Sequence, residues 1–199
     1  MVLPLPAAPV ITPFLFGKLP THGDFVSRGL SDAAREAWDG QASALLECAR
    51  SALGDGFEEA HERAPPWRFV CGPSSLGDDW RAGALASSVD SAGRRFLIVI
   101  GVDGVSPSQA SAGRYAAEAC EGVIYSAFAE ALDADGALSL LQAVAPPLPD
   151  APGSEPDSSI WWIVSERGAT VDHVVSAELP SDLLLRAATS NESLAESAQ

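Results

Sequence analysis

The run Phe96-Leu97-Ile98-Val99-Ile100 is five consecutive large apolar residues, and it indicates the architecture of the protein. A strand with one solvated face alternates apolar and polar side chains, because successive side chains point to opposite faces of the sheet. This run does not alternate, so its strand is predicted to be central in a sheet and covered on both faces. Helices are the simplest way to cover both faces.

The sequence just before this run predicts a hairpin. Asp90-Ser91-Ala92-Gly93-Arg94 has Asp and Ser at the turn entry and a glycine that tolerates a positive φ. We therefore predict strands at residues 80–89 and 95–102, joined by this turn. Further strands are predicted at residues 14–18, 67–71, 160–164 and 170–176.

Apolar residues that recur at three- and four-residue steps predict the helices. One starts after the N-cap Ser31 and closes at Gly54, and the clearest helix covers residues 115–132, with Asp135-Gly136 as its stop. Shorter helices are predicted at residues 56–63, at 137–144 and from Pro180 to residue 188. Hairpins interrupted by long helices indicate an α/β fold, a single-domain three-layer α/β/α sandwich around a mixed, largely antiparallel sheet.

Length and composition indicate one folded domain, since 199 residues with 47% hydrophobic content suit a single core. Four prolines within residues 1–13 predict a loose arm at residues 1–12. The domain is expected at residues 13–188, and residues 189–199 are expected to be a disordered tail because they lack apolar periodicity.

The net charge of −15 disfavours nucleic acid and anionic membrane surfaces as partners. The three cysteines, Cys48, Cys71 and Cys120, have no metal-ligand spacing and are predicted to be small buried residues. No apolar run approaches the ~20 residues of a membrane span, and the start has no basic region typical of a signal peptide. We therefore expect a cytoplasmic protein with no membrane insertion and no cofactor.

A second informative stretch is Gly17-Lys18-Leu19-Pro20-Thr21-His22-Gly23-Asp24-Phe25-Val26-Ser27-Arg28. Glycine and proline at fixed places specify a backbone path. Residues 1–30 carry a net charge of +1, from Lys18 and Arg28 against Asp24, in a strongly acidic chain. The sequence leaves open whether these charges pair internally or are presented to a partner.

Part of this stretch resembles the Gly-Asp-Phe-Val-Asp-Arg-Gly element of metallophosphatases, in which the Asp bridges two metals. Those enzymes also need an upstream Gly-Asp-x-His-Gly and a downstream Asn-His-Glu, and this chain has neither. We expect His61 to be solvated and His173 to face outward. The chain is therefore expected not to be an enzyme; a small metal-dependent phosphoesterase, or a hydrolase built from His22, Asp24 and Asp90, is the alternative.

The stretch at residues 17–28 also resembles the opening signature of the TagF (ImpM) family of type VI secretion-associated proteins, with Thr21 in place of Ser. Residues 88–96 resemble the second signature of that family, Pro-Ser-Val-Asp-x-x-Gly-Arg-x-Phe/Tyr-Pro, with Ser87 and Leu97 replacing the prolines. Matching aromatic elements, among them Trp161-Trp162, extend the resemblance over residues 14–188.

The resemblance implies a cytoplasmic accessory protein of bacterial type VI secretion that acts after translation, usually to repress assembly or firing. It also implies contact with the forkhead-associated scaffold protein of this system; a purely structural secretion subunit is the alternative. We predict that the two signatures converge in space and that Lys18 and Arg28 form an exposed basic patch. The candidate partner-binding residues are Lys18, His22, Asp24, Arg28, Asp90 and Arg94.

Overall fold

A computed structural model describes residues 11–74, 76, 79–105, 109, 112–145, 148, 159–165, 168–176 and 178–196. Seven strands are present in this part of the chain: β1 (Thr12–Gly17), β2 (Val26–Arg28), β3 (Trp67–Cys71), β4 (Trp80–Val89), β5 (Arg95–Val105), β6 (Ile160–Val164) and β7 (Thr170–Val175). The helices are α1 (Asp32–Leu53), α2 (Phe57–Arg63), α3 (Gly113–Ala129), α4 (Ala134–Val144) and α5 (Leu183–Glu196). A 3-10 turn at Gly54–Gly56 links α1 to α2.

The strands form one sheet in the order β2-β1-β5-β4-β3-β6-β7. Every pair of neighbouring strands in it is antiparallel. The predicted hairpin is confirmed, because β4 and β5 pair from Val89 opposite Arg95 onward, and β5 is an inner strand with an almost continuous run of buried residues. The predicted α/β fold with a largely antiparallel sheet is therefore confirmed, but the sheet is not mixed, since no parallel pair occurs among the described strands.

Helices cover the sheet on both faces. On one face α3 packs against β3, β4 and β5, and α4 packs against β1 and β2. On the other face α1, α2 and α5 enclose a second core, which is rich in aromatic rings. The adjacent tryptophans of β6 confirm the alternation expected of a covered strand, because Trp161 belongs to the second core and Trp162 to the first.

The helix boundaries follow the sequence signals at α1 but not at α3. The Ser31 hydroxyl accepts a hydrogen bond from the backbone N–H of Ala34, as expected of an N-cap. By contrast, α3 ends at Ala129, and Ala131 has a φ of 52°. Asp133 then caps α4 by accepting from the N–H of Gly136. The prediction that Asp135-Gly136 stops the long helix was wrong, since both residues lie in the first turn of α4.

Three further differences concern single segments. Strand β2 was not predicted, and it lies inside the stretch at residues 17–28. The last helix continues to Glu196, so residues 189–196 are helical where an irregular tail was expected, and residues 197–199 lie outside the described part. The predicted arm at residues 1–12 falls almost wholly outside it as well. None of the described helices is both long and apolar enough to cross a bilayer.

A histidine that the sequence placed in solvent lies in the interior. His61 is buried on α2, and its Nε2 lies 2.7 Å from the backbone oxygen of Phe96. Burial lowers the pKa of His61, so the neutral ring that donates this hydrogen bond is favoured. The expectation of a solvated His61 was wrong, whereas His173 is exposed as predicted. Cys71 and Cys120 are buried as predicted, but Cys48 is only half-buried.

Candidate functional site

The two glycine-rich signatures converge at one end of the sheet. The Lys18 Nζ, just after β1, lies 2.8 Å from Oδ2 of Asp90, which follows β4. Only 7% of Lys18 and 2% of Asp90 are exposed to solvent. The predicted convergence is therefore confirmed. The expectation of an exposed Lys18 was wrong, because its ammonium group is turned inward onto the Asp90 carboxylate.

Asp90 is the centre of a hydrogen-bonded turn. Its Oδ1 accepts from the backbone N–H groups of Ala92 and Arg94 at 3.0 and 2.9 Å, and its Oδ2 also accepts from Nε of Arg94 at 2.6 Å. The hydrogen bond from Lys18, followed by those from Arg94 and Ala92, holds the pKa of Asp90 well below its usual range, against the opposing effect of burial. A carboxylate bonded in this way stays charged and orders the turn.

Backbone contacts fix the first signature against the second. The N–H of Ser91 donates to the carbonyl of His22 at 2.9 Å, and the Arg94 guanidinium donates to the carbonyl of Gly23 at 2.6 Å. On the buried side, the Ser88 hydroxyl donates to the carbonyl of Lys18 at 2.6 Å. The two loops thus form one unit, in which side chains of the second signature satisfy backbone carbonyls of the first.

Two glycines of this region are required by the backbone. Gly17 has a φ of 134°, and a Cβ there would lie 2.1 Å from the carbonyl oxygen of Leu97. Gly29 has a φ of 72°, and a Cβ there would lie 2.1 Å from the carbonyl oxygen of Pro13. Any side chain at either position would collide with the neighbouring strand. Gly17 therefore lets the chain turn at the end of β1, and Gly29 lets it turn after β2, the strand that pairs with β1.

Side chains of the first signature also form hydrogen bonds around the start of α4. The Thr21 hydroxyl donates to the carbonyl of Leu132 at 3.0 Å, and Nε2 of His22 accepts from the N–H of Ala134 at 3.1 Å. Arg28 Nε donates to Oδ1 of Asp135 at 2.7 Å, and this contact lowers the pKa of Asp135. Arg28 thus pairs with a residue that the sequence analysis had not selected, and not with Asp24 or Asp90.

What remains exposed is a continuous surface formed by residues 23–25 and 91–94, which we call the signature face. Asp24 lies on it, and its Oδ1 accepts the local backbone N–H of Phe25. Phe25 is 43% exposed, although its ring contacts Phe16 and lies edge-on to Phe96 at 4.6 Å. The neighbouring Ser91, Ala92 and Gly93 are small and exposed.

The polar groups of the two signatures are engaged with one another and with the backbone. The Nε2 lone pair of His22 is already engaged by a backbone N–H, and both oxygens of Asp90 accept hydrogen bonds. Within the described residues, no three His, Cys, Asp or Glu side chains are grouped as a metal site would require. The fold and site define an α/β/α sandwich in which two glycine-rich turns are locked together and present one small surface.

Comparison with known proteins identifies the family. The model of the TagF N-terminal domain, described as type VI secretion system-associated, matches residues 15–144. The match covers well over half of the chain, so this protein belongs to the TagF family. No curated protein sequence matches it.

A solved structure has the same fold. The crystal structure of PA0076 from Pseudomonas aeruginosa PAO1, determined at 2.05 Å resolution, superposes with a TM-score of 0.71. The two chains are 23% identical over 88% of this chain and 93% of that one. At this level of identity the likeness concerns the architecture, and it extends beyond the residues that the family model matches.

Proposed function

We propose that this chain is a non-enzymatic, cytoplasmic regulator of type VI secretion that represses assembly or firing after translation through contacts with a protein partner. The forkhead-associated scaffold of the system is the proposed partner. The observation that carries the proposal is the contrast between the two halves of the signatures. Lys18 and Asp90 are buried and bond to each other, whereas Phe25 and the Arg94 side chain, which Asp90 also holds, are exposed on the signature face.

The inward half of the site holds the outward half in place. Buried ion pairs with their remaining hydrogen bonds satisfied restrict geometry more than they add stability. Here they fix the turn at residues 90–94 against the loop at residues 17–25. A preformed surface loses less conformational entropy on binding, which supports a recognition role for the signature face.

The outward half has the composition of an interface centre. Aromatic and Arg side chains contribute most of the binding energy at protein interfaces, and Phe25 and Arg94 provide one of each. Both side chains are supported from behind, because Phe25 contacts Phe96 and Arg94 is held by Asp90. The small residues between them leave room for a partner's side chains.

Substitution of Phe25 in a secretion-competent host tests this proposal. The Phe25→Ser variant is expected to lose co-precipitation of the partner by at least about tenfold and to release repression, as measured by secretion of an effector. Val144→Ser is the matched control, because Val144 is 46% exposed on α4, away from the signatures. Retained partner binding by a folded Phe25→Ser protein would contradict the assignment of the signature face. If deletion of the gene abolishes effector secretion instead of increasing it, the result would favour a structural subunit.

A further inference from the structure

A long cleft lies on the sheet face that carries α3. Within the described part of the chain α3 packs against β3, β4 and β5, and no helix packs extensively over β6 and β7 on this side. The cleft has a volume of about 1160 Å³ and lies between α3 and the loop that precedes β3. It shares no residue with the signature face.

The cleft has an aromatic wall and a proline-lined opposite side. Tyr115, which is 68% exposed, and Phe128 lie along the α3 side, and Trp162 of β6 lies beneath them. Pro65 and Pro66 line the other side. Flat aromatic and proline surfaces of this kind accept extended and proline-containing segments, which lose little conformational entropy on docking.

Among the described residues, the charged groups that line the cleft are paired inside the protein, with one exception. Arg68 on the floor pairs with Glu121 and lies 3.7 Å from Glu118. The rim residues Arg63 and Glu62 pair with Glu59 and Arg95, respectively.

Arg114 is the exception. Its guanidinium lies 4.7 Å above the Trp162 ring, and among the described residues no carboxylate lies within ion-pair distance of it. An occupant that brings a carboxylate to this point therefore complements the only charge in the cleft that the described chain leaves unpaired.

The dimensions of the cleft fit a peptide segment. Its volume exceeds the ~300–1,000 Å³ of most small-molecule pockets. From Arg114 to Phe128 the α3 wall is about 21 Å long at 1.5 Å per residue. An extended chain of about six residues spans this length at ~3.3 Å per residue.

We propose that this cleft binds an extended acidic segment of a partner protein. One carboxylate of the segment pairs with Arg114, and its apolar or proline side chains lie between the aromatic wall and Pro65-Pro66. The cation–π contact with Trp162 holds the guanidinium in place for this pairing. The cleft is a second docking site, and it does not depend on the function proposed for the signature face.

Peptide selection on the purified full-length chain tests the proposal. A random 12-residue phage-displayed library is panned on the wild-type protein, and the enriched peptides are synthesised and titrated by fluorescence anisotropy. We expect enriched sequences with Asp or Glu next to proline or apolar residues. Arg114→Gln should weaken their binding at least tenfold, and Tyr115→Ala should weaken it as well.

Two controls make the outcome decisive. Arg35→Gln, at an exposed arginine of α1 on the opposite face, should leave peptide binding unchanged. Phe25→Ser should also leave it unchanged, so that failure of this site and failure of the signature face are distinguishable. Failure to enrich any peptide, or enriched peptides that bind Arg114→Gln as they bind the wild type, would overturn the proposal.

Discussion

Single residues of the signatures act mainly on one another. Lys18 bonds to Asp90, Arg94 supports the same carboxylate, and Arg28 pairs with Asp135. The sequence predicted that the two signatures converge, because both are charge-bearing, glycine-containing motifs in an acidic chain, but it did not predict that Lys18 pairs with Asp90. It could not find Asp135, because nothing in the local sequence shows that α4 begins beside β2. The burial of Lys18 could not be predicted either, because a lysine next to a loop is exposed in most proteins.

The buried ion pair between Lys18 and Asp90 leads to a prediction about stability. Lys18→Met removes the counter-charge of a buried carboxylate, and Lys18→Glu adds a like charge beside it, so both should destabilise the fold. We expect thermal unfolding to lower Tm by on the order of 10 °C for Lys18→Met and by more for Lys18→Glu. Arg35→Glu, at an exposed arginine, should shift Tm by no more than about 2 °C. A Lys18→Glu protein as stable as the wild type would contradict the buried pair.

At the level of elements, periodic segments were predictable and their breaks were not. The sequence records burial directly. It does so through the non-alternating apolar run of β5 and the three- and four-residue apolar repeats of α1 and α3. Strand β2 has only three residues, too few for any period to appear. The helix break after α3 depends on Ala131, whose backbone adopts a left-handed conformation. An alanine in the sequence does not predict such a conformation.

The turn out of β1 gives a prediction with an internal control. Gly17→Ala places a Cβ 2.1 Å from the Leu97 carbonyl and should lower the stability by several kcal/mol, or prevent folding. Gly93→Ala also lies at a positive φ, 77°, but has open space around the added Cβ, so it should cost only about 1 kcal/mol. Chemical denaturation of both variants measures the difference. Equal losses would show that the close approach to Leu97 does not matter.

For the whole molecule, sequence patterns predicted the layers but not the surface that the layers leave open. The apolar run of β5 and the adjacent Trp161 and Trp162 predicted that both faces of the sheet are covered. One tryptophan side chain points to each face, and each must be enclosed. The cleft beside α3 depends on where the helices stop covering the sheet. That is a property of helix placement across seven strands, and no single segment encodes it.

The intact protein is expected to have no metal-dependent phosphoesterase activity. The metallophosphatase-like segment places Asp24 at the exposed tip of the first loop, and Arg28 faces Asp135. A dinuclear site needs several carboxylate and imidazole ligands around both metals, and the described residues group no such set near Asp24. Metal analysis should find no stoichiometric manganese or iron, and phosphoester hydrolysis should equal that of Asp24→Asn. Two bound metal equivalents, with activity lost in Asp24→Asn, would establish a phosphoesterase and displace the proposed regulatory role.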